Sequence, residues 1–334
     1  MRVGRALVIA GALAFLTCRR TPRVKVHALF DLPRMHSTHS LSGTAFDPAT
    51  RTLFAIPDKD PMIVPLVANA DFTAFTVGTP LPLTGRVDTA WDGEGLVRAD
   101  GGFIAVTQET VPLVERFDAT GKRTGAITLP AHFAMQAPPG NKGMESLTIS
   151  PSGRFLYTAN ENALVMDGSP STKTRGTIVR ILKRELATNK DIELAYRTEP
   201  LGAGGATGDM GVADLAAVDD DVLLVLERGF QPDYGNTVRI FRVDLRTGTH
   251  VEGAPALSDA TPVLTKTLIV DIGTLPPGSA SHPGPEPNPI LENYEALALG
   301  PTLADRSRLL FVTSDDNASA TQVPRVLVLA VSGL

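Results

Sequence analysis

The feature of this chain that most restricts its fold is a short layout that occurs five times. Each copy has a small or polar residue, an alternating apolar stretch, a turn, and a second apolar stretch that ends in polar residues. The copies read "SLSGTAFDPATRTLFAIPDKD" from Ser40, "WDGEGLVRADGGFIAVTQE" from Trp91, "KGMESLTISPSGRFLYTANE" from Lys142, "MGVADLAAVDDDVLLVLERGF" from Met210 and "NYEALALGPTLADRSRLLFVTSDDN" from Asn293. Period-2 alternation on both sides of a turn predicts a β-hairpin, so we expect five hairpins.

Two further strand candidates follow most hairpins, for example "GTIVRILKREL" and "IELAYRT" after the third. Four strands make a propeller blade. The last repeat ends one strand short, with "PRVLVLAV", and "RVKVHALF" from Arg23 would supply the missing strand. We therefore predict an all-β fold: a single β-propeller of five four-stranded blades over residues 19–334, closed by pairing of the N- and C-terminal strands. A sixth blade is the alternative if a long loop such as "PPGSASHPGPEPNPILE" contains a degenerate one.

Composition agrees with short strands joined by turns. The chain has 30 glycines and 26 prolines, and 43% of its residues are hydrophobic. No long stretch has a helical period. The net charge is −5, and no basic stretch is interleaved with aromatic residues. These observations exclude a nucleic-acid partner, and we expect a monomer.

Residues 1–18 have the pattern of an export signal. Arg2 and Arg5 precede "ALVIAGALAFLT", which is too short to span about 30 Å of hydrocarbon. The only cysteine of the chain, Cys18, stands where this run ends, as the lipidated cysteine of a bacterial lipoprotein does. The alternative is ordinary cleavage after Ala14, which leaves Cys18 as a free thiol. Both readings predict an extracytoplasmic protein of the cell envelope. Lipidation would add a membrane anchor.

Several motifs together resemble the "esterase-like activity of phytase" family of exported bacterial propellers. They are "LSGTAFDP", "DGEGL", "NKGMESLTISPSGRFLYTANE", "GVADLAAVDDDVLLVLERGF", "NYEALALGP" and "VTSDDN", between His39 and Val331. Ser146 and Ala296 depart from the glycine usual in the family, and Ala213 departs from its serine. The resemblance implies a propeller that hydrolyses phosphate or carboxylic esters, with the calcium dependence of propeller phytases.

Most of the repeats share a short phrase of a glutamate, a small residue and a leucine, as in Glu94 to Leu96. When the repeats are aligned on the leucine of this repeated phrase, three of the five have a carboxylate at the first position. The residues there are Ser42, Glu94, Glu145, Ala213 and Glu295. Innermost strands line a propeller channel, so these carboxylates should converge, with Asp214 on the other strand face. Like charges that converge need protonation, water or a cation, and Ca²⁺ is the natural candidate. The alternative is an architectural role in which each glutamate accepts backbone N–H groups.

The ends of the second strands form another set of polar residues. They are Asp58, Gln108, Asn160, Arg228 and Asp315, followed by Lys59, Glu109, Glu161, Gly229 and Asp316. Because the two strands are antiparallel, both sets should face one pocket. Asp315 and Asp316 could add metal ligands, whereas Arg228 and Lys142 could bind a phosphate. The alternative for Arg228 is an ion pair with Glu227 or with an acid of a neighbouring blade.

Motifs that are absent narrow the chemistry. The chain has no G-x-S-x-G elbow, no H-E-x-x-H zinc motif and no phosphate-binding loop of the G-x-x-x-x-G-K type. Our first hypothesis is an exported hydrolase of phosphate or carboxylic esters. Its catalytic residues would be Glu94, Glu145, Glu295 and Arg228, and the three glutamates would hold Ca²⁺ together with Asp315 and Asp316. A metal-dependent lactonase is a related alternative. The rival of another class is a surface lipoprotein that binds a sugar, peptide or protein through the propeller mouth without turnover.

Overall fold

The computed structural model describes residues 22–87, 90–109, 112–134 and 142–334. The predicted signal segment and Cys18 lie outside these residues. Within them the chain forms strands and four short 3₁₀ turns, at His36–Thr38, Ala131–Ala134, Leu245–Thr247 and Ile272–Thr274. No helix in the described ranges is long and apolar enough to cross a membrane.

The strands form five antiparallel sheets of four strands each, one of which carries an extra short strand. Blade 1 contains β2 (Leu41–Asp47), β3 (Thr52–Pro57), β4 (Met62–Ala68) and β5 (Phe75–Val77), with β6 (Leu81–Pro82) paired to β4. Blade 2 contains β7 (Leu96–Ala99), β8 (Gly102–Gln108), β9 (Leu113–Phe117) and β10 (Arg123–Ile127). Blade 3 contains β11 (Thr148–Ile149), β12 (Phe155–Ala159), β13 (Ile178–Glu185) and β14 (Lys190–Arg197). Blade 4 contains β15 (Asp209–Ala217), β16 (Val222–Gln231), β17 (Gly235–Asp244) and β18 (Lys266–Asp271). Blade 5 contains β19 (Tyr294–Thr302), β20 (Arg308–Ser314), β21 (Arg325–Ser332) and β1 (Arg23–Asp31).

The predicted five blades and their closure are confirmed. Strand β1 pairs antiparallel with β21, from Arg23 opposite Ser332 to Asp31 opposite Arg325. The buried Arg325 fastens this joint, since its guanidinium donates to both Asp31 oxygens, at 2.6 and 3.2 Å. The long segment between β18 and β19 contains no further sheet, so the six-bladed alternative is not observed.

The apolar core is divided among the five contacts between adjacent blades. Each of five buried clusters combines residues of two neighbouring blades, for example Leu224 of blade 4 with Leu310 of blade 5, and Leu53 of blade 1 with Phe311 of blade 5. Burial of apolar surface between sheets, at ~25 cal/mol per Å², therefore fixes each blade against the next. The inner strands β2, β7, β11, β15 and β19 consequently surround one channel.

The repeated phrase is the site of a β-bulge. In β2, β15 and β19 the strand register skips one residue, which is Ser42, Ala213 or Glu295 respectively. A bulged residue has no partner on the neighbouring strand, and its side chain is turned out of the regular pleat. In blades 1 and 5 the bulge thus turns Ser42 and Glu295 towards the channel mouth.

Next to this position stands a small residue in four of the five blades, because the inner strands approach closely. A Cβ atom added to Gly43 would lie 1.8 Å from the carbonyl oxygen of Glu94, and one added to Gly95 would lie 2.4 Å from the nitrogen of Leu147. Ser146 and Ala296 occupy the equivalent places in blades 3 and 5. These residues form a narrow ring. It separates the channel mouth from a second, largely apolar cavity of about 330 Å³ at the opposite opening.

Blade 4 places Asp214 in this ring. Its two carboxylate oxygens accept the N–H groups of Leu215 and Leu297, each at 2.7 Å, so the side chain ties blade 4 to blade 5. Burial raises the pKa of Asp214 well above its usual range. The side chain does not line the cavity at the mouth, in agreement with its expected position on the other strand face.

Candidate functional site

A cavity of about 430 Å³ occupies the channel mouth, at the end where the inner strands begin. Side chains of all five blades line it. They are Ser42, Asp58, Lys59, Asp92, Glu94, Glu109, Lys142, Glu145, Asp209, Arg228, Phe230, Asn236, Asn293, Glu295, Asp315, Asn317 and Gln322. Eight of these residues are acids and three are bases. This opening is therefore acidic and suited to a cation.

The two predicted sets of residues meet in this cavity. The members that line it are Ser42, Glu94, Glu145 and Glu295 from the first strands, with Asp58, Lys59, Glu109, Arg228 and Asp315 from the second. Lys142 joins them from the start of the third repeat. Their convergence follows from the antiparallel hairpins, whose first strands begin where the second strands end. Their roles as ligands or catalytic groups stay predictions.

Asp316 lies elsewhere. Its carboxylate accepts the backbone N–H of Ser40 at 3.0 Å and contacts the Nδ1 atom of His39 at 2.7 Å. It also lies 3.6 Å from the guanidinium of Arg34. Asp316 therefore holds the segment before β2 in place, and it is not among the residues that line the cavity.

Glu94 and Glu145 face the cavity. Among the described residues Glu94 forms no ion pair, whereas Glu145 lies close enough to Lys142 and Arg228 for its charge to raise their pKa. No described backbone N–H donates to either carboxylate, in contrast to the architectural alternative. Burial, followed by the charge of Glu295 for Glu94 and of Glu94 for Glu145, raises the pKa of both groups well above the usual range. Such carboxylates favour either a bound proton or a bound cation.

Three carboxylates cluster most tightly on blade 2. One oxygen each of Asp92, Glu94 and Glu109 lies within 4.8 Å of the other two. Glu109 accepts the backbone N–H of Gly143, and it shares a hydrogen bond with Asp92. Burial raises the pKa of Glu109 to about 7 despite that N–H donor. Asp92 is not among the site residues predicted from the repeats. Its only signal was its position two residues before Glu94 in "WDGEGL".

Asp315 adds a further carboxylate from blade 5. One of its oxygens accepts the backbone N–H of Asn317 at 2.6 Å. Burial and then the nearby charges of Glu295 and Asp58 raise the pKa of Asp315 well above its usual range. Asp58 itself forms an ion pair with Lys59. The acids of blades 1, 2 and 5 therefore repel one another across the mouth.

Two of the three bases of the cavity, Arg228 and Lys142, lie near blade 4 and are paired. Arg228 donates to Glu295 at 2.5 Å and lies 3.5 Å from Glu161. Lys142 contacts Glu161 at 3.0 Å and Asp209 at 2.8 Å. Arg228 thus pairs with acids of the two neighbouring blades, as its alternative assignment expected.

Glu227 is not a partner of Arg228, because adjacent residues of a strand point to opposite faces. Its carboxylate instead accepts the hydroxyl of Tyr196 at 2.5 Å and the ammonium of Lys266 at 2.6 Å. One side of the mouth therefore carries an ion-pair network, and the other side carries carboxylates with few positive partners.

The fold and site define the chain as a closed five-bladed propeller with an acidic cavity at one end of its channel. The profile of the phytase-like family, described as "esterase-like activity of phytase", matches residues 37–318. The match covers most of the chain, and the protein belongs to this family.

Relatives and solved structures add little to this identification. An uncharacterized secreted protein of Arthroderma benhamiae is 30% identical over 25% of this chain, and the match spans only 22% of that protein. Among solved structures, an endo-arabinase of Bacteroides thetaiotaomicron is 10% identical, with 86% of this chain and 92% of that chain covered and a TM-score of 0.47. A glutaminyl cyclase of Myxococcus xanthus is 12% identical, with 93% and 94% covered and a TM-score of 0.43. These structural similarities are too low to support an argument about activity.

Proposed function

We propose that the protein is an exported hydrolase of phosphate or carboxylic esters that uses a divalent cation, Ca²⁺ in the first instance, at the channel mouth. The observation that carries the proposal is the convergence of the carboxylates of Asp92, Glu94, Glu109 and Glu145 in one cavity. The family to which the chain belongs supports ester hydrolysis as the class of reaction.

The donor set fits a hard cation. Ca²⁺ takes six to eight oxygen ligands in flexible geometry, and carboxylates and amide oxygens are its usual partners. Asp92, Glu94, Glu109 and Glu145 would supply the first ligands, with Asp315 and Glu295 at the edge of the same cavity. Asp316, a ligand in the sequence hypothesis, is occupied by Ser40 and His39. It has no place in this set.

A bound divalent cation would polarise the ester oxygen and lower the pKa of a coordinated water. Arg228 and Lys142 would orient the acidic part of the substrate, since a guanidinium can grip a phosphate with two N–H donors. Both bases are now held by Glu161, Asp209 and Glu295. An anionic substrate would therefore compete with these carboxylates for the same donors.

Export is part of the proposal. The pattern of residues 1–18 supports a signal segment, and lipidation of Cys18 would retain the protein in the cell envelope. The secreted relative from Arthroderma benhamiae agrees with an extracytoplasmic location.

The proposal is tested by measuring Ca²⁺ binding by calorimetry together with hydrolysis of a small panel of esters. The panel contains p-nitrophenyl phosphate, p-nitrophenyl butyrate and a γ-lactone, each with excess Ca²⁺ and with EDTA. We expect Ca²⁺ binding and Ca²⁺-dependent turnover of at least one ester. Glu94→Gln and Glu145→Gln should lose both, because each keeps the side-chain shape but removes a charged ligand.

Glu252→Gln is the matched control, because Glu252 is an exposed loop glutamate that does not line the cavity. Turnover that resists EDTA would contradict the cation mechanism. Turnover of the lactone alone would identify a lactonase. Ca²⁺ binding without any turnover would favour the surface binding protein that the sequence left as the rival.

A further inference from the structure

A side pocket of about 280 Å³ opens beside the acidic cavity. Phe230, Asn236 and Gln322 line both spaces, so the two are adjacent. The other walls of the side pocket come from the turn between β16 and β17 and from two loops of blade 5. They are Pro232, Asp233, Tyr234, Gly235, His282, Gly284, Pro285, Glu286, Ser319 and Thr321. Together the two spaces fall within the range of ~300 to 1,000 Å³ that is usual for small-molecule sites.

The acidic residues of the side pocket are already used by the loops. Both oxygens of Asp233 accept the backbone N–H of Gly205, at 3.0 and 2.8 Å. The carboxylate of Glu286 accepts the backbone N–H of Asn236 at 2.8 Å and its side-chain amide at 2.7 Å. These contacts hold the two carboxylates in the walls of the pocket.

The third titratable residue of the wall is held in the same way. The Nδ1 atom of His282 accepts the backbone N–H of Gly284 at 3.0 Å, and its Nε2 atom lies 2.9 Å from the carboxylate of Glu292. These three side chains are thus held in the walls of the pocket by contacts with the loops.

The surface that remains is aromatic and apolar. Phe230 is 43% exposed, although it lies in a strand whose preceding residues are buried. Tyr234 and the rings of Pro232 and Pro285 complete this surface. Phe230 stands two residues after Arg228 on β16, so both side chains lie on the same strand face, the arginine deeper in the channel. An exposed aromatic ring beside a buried cation fits a ligand with an acidic head and a flat apolar body.

We propose that the side pocket binds the aromatic ring of an aryl ester whose acidic head lies in the cavity. The assignment deepens the proposed function and rests on it for the position of the head group. The pocket makes Phe230 and Tyr234 specificity-determining residues. Neither contacts the reacting atoms in this arrangement.

The test compares two non-hydrolysable probes that share the same acidic head. Dissociation constants of phenylphosphonate and methylphosphonate are measured by calorimetry on the Ca²⁺-loaded protein. We expect the phenyl compound to bind about tenfold more tightly, the effect of one well-packed ring. Phe230→Ala and Tyr234→Ala should each reduce this ratio by severalfold. Leu268→Ala, which removes an exposed apolar side chain from the outer strand of the same blade, should leave it unchanged.

Equal affinities of the two phosphonates in the parent protein would overturn the assignment, as would a ratio that survives both aromatic substitutions. If neither phosphonate binds, the proposed binding site for the acidic head is contradicted. The side pocket is then tested alone, by measuring benzamide binding with ligand-observed NMR. Benzamide binding that Phe230→Ala abolishes would support the pocket without the proposed function. Absence of benzamide binding would overturn both.

Discussion

Arg228 of blade 4 and Glu295 of blade 5 are joined across the channel mouth by a hydrogen bond of 2.5 Å between the Nη2 and Oε1 atoms. The carboxylate is a candidate ligand for a cation, and the guanidinium is a candidate hydrogen-bond donor to a phosphate. Each therefore neutralises the other in the ligand-free protein, and cation and substrate would have to separate them. Asn293 supports the pair, since its amide donates to the same Glu295 oxygen at 3.0 Å.

Removal of Arg228 should destabilise the protein and strengthen cation binding. Arg228→Met leaves Glu295 and Glu161 buried without their guanidinium partner, which typically costs about 3 to 5 kcal/mol of unfolding free energy. The double variant Arg228→Met/Glu295→Gln should recover part of the loss. Urea unfolding of the three proteins, with and without Ca²⁺, measures both effects. An unfolding free energy of Arg228→Met equal to that of the parent would contradict the proposed role of this pair.

Stability without a cation should decrease as the pH rises from 5 to 8. The ordinary pKa of a glutamate is 4.5, and burial raises those of Glu94 and Glu145 well above it in the folded protein. Above pH 4.5 the unfolded chain releases these protons and the folded chain retains them, so a higher pH favours unfolding. The effect is up to about 1.4 kcal/mol per pH unit for each such group, until its folded pKa is passed.

Urea unfolding in EDTA at several pH values tests this dependence. The variant Glu94→Gln/Glu145→Gln should give a flatter profile, because its amides do not titrate. Ca²⁺ should stabilise the parent more at pH 8 than at pH 5, since the ligands must be ionised to bind it. A parent profile that rises across this range would contradict the assignment of the raised pKa values.

Two glycines of the narrow ring, Gly43 and Gly95, should not tolerate a methyl group. Gly43→Ala would place its Cβ atom 1.8 Å from the carbonyl oxygen of Glu94, so blades 1 and 2 would have to move apart. We expect a loss of at least about 2 kcal/mol of unfolding free energy. Gly125→Ala is the control, because nothing lies within 4 Å of its added Cβ, and it should change stability by less than about 1 kcal/mol. Equal effects of the two substitutions in thermal unfolding would refute the close approach.

Closure of the propeller should depend more on Arg325 than on its ion-pair partner. Arg325 is fully buried and also donates to the carbonyl oxygens of Pro289 and Ser281, at 2.9 and 2.7 Å, whereas Asp31 is partly exposed. Arg325→Met should therefore lower the unfolding free energy by several kcal/mol, of the order found for broken buried pairs. Asp31→Asn should lower it by only about 1 kcal/mol. Denaturant unfolding distinguishes them, and a larger effect of Asp31→Asn would show that the salt bridge outweighs the carbonyl contacts.

Much of the fold could be predicted because each blade repeats the same local pattern. Period-2 alternation identified the hairpins, and the strand missing from the last repeat led to the pairing of "RVKVHALF" with "PRVLVLAV". The meeting of Glu94, Glu145 and Glu295 followed from their equivalent positions in the repeats.

The alignment of the repeats could not predict the positions of side chains that depend on residues outside the repeated phrase. Asp92 joins Glu94 from the irregular segment that precedes β7, which has no counterpart in the alignment of the repeats. Asp315 and Asp316 are neighbours with similar side chains, yet one faces the cavity and the other binds Ser40. The side chains of adjacent residues point in different directions, and each carboxylate therefore meets different tertiary partners. The sequence alone gave equal weight to both.

The pairing of β1 with β21 also fixes how the protein would stand on a membrane. The chain enters the propeller at Arg23, beside Ser332, whereas the residues at the acidic mouth lie at the far end of the same sheet, near Asp31 and Arg325. Cys18 is only five residues before Arg23, a reach of at most about 18 Å. A lipid on Cys18 would therefore hold the opposite face of the propeller against the bilayer. The acidic mouth would point outward, towards molecules that arrive from the surrounding medium.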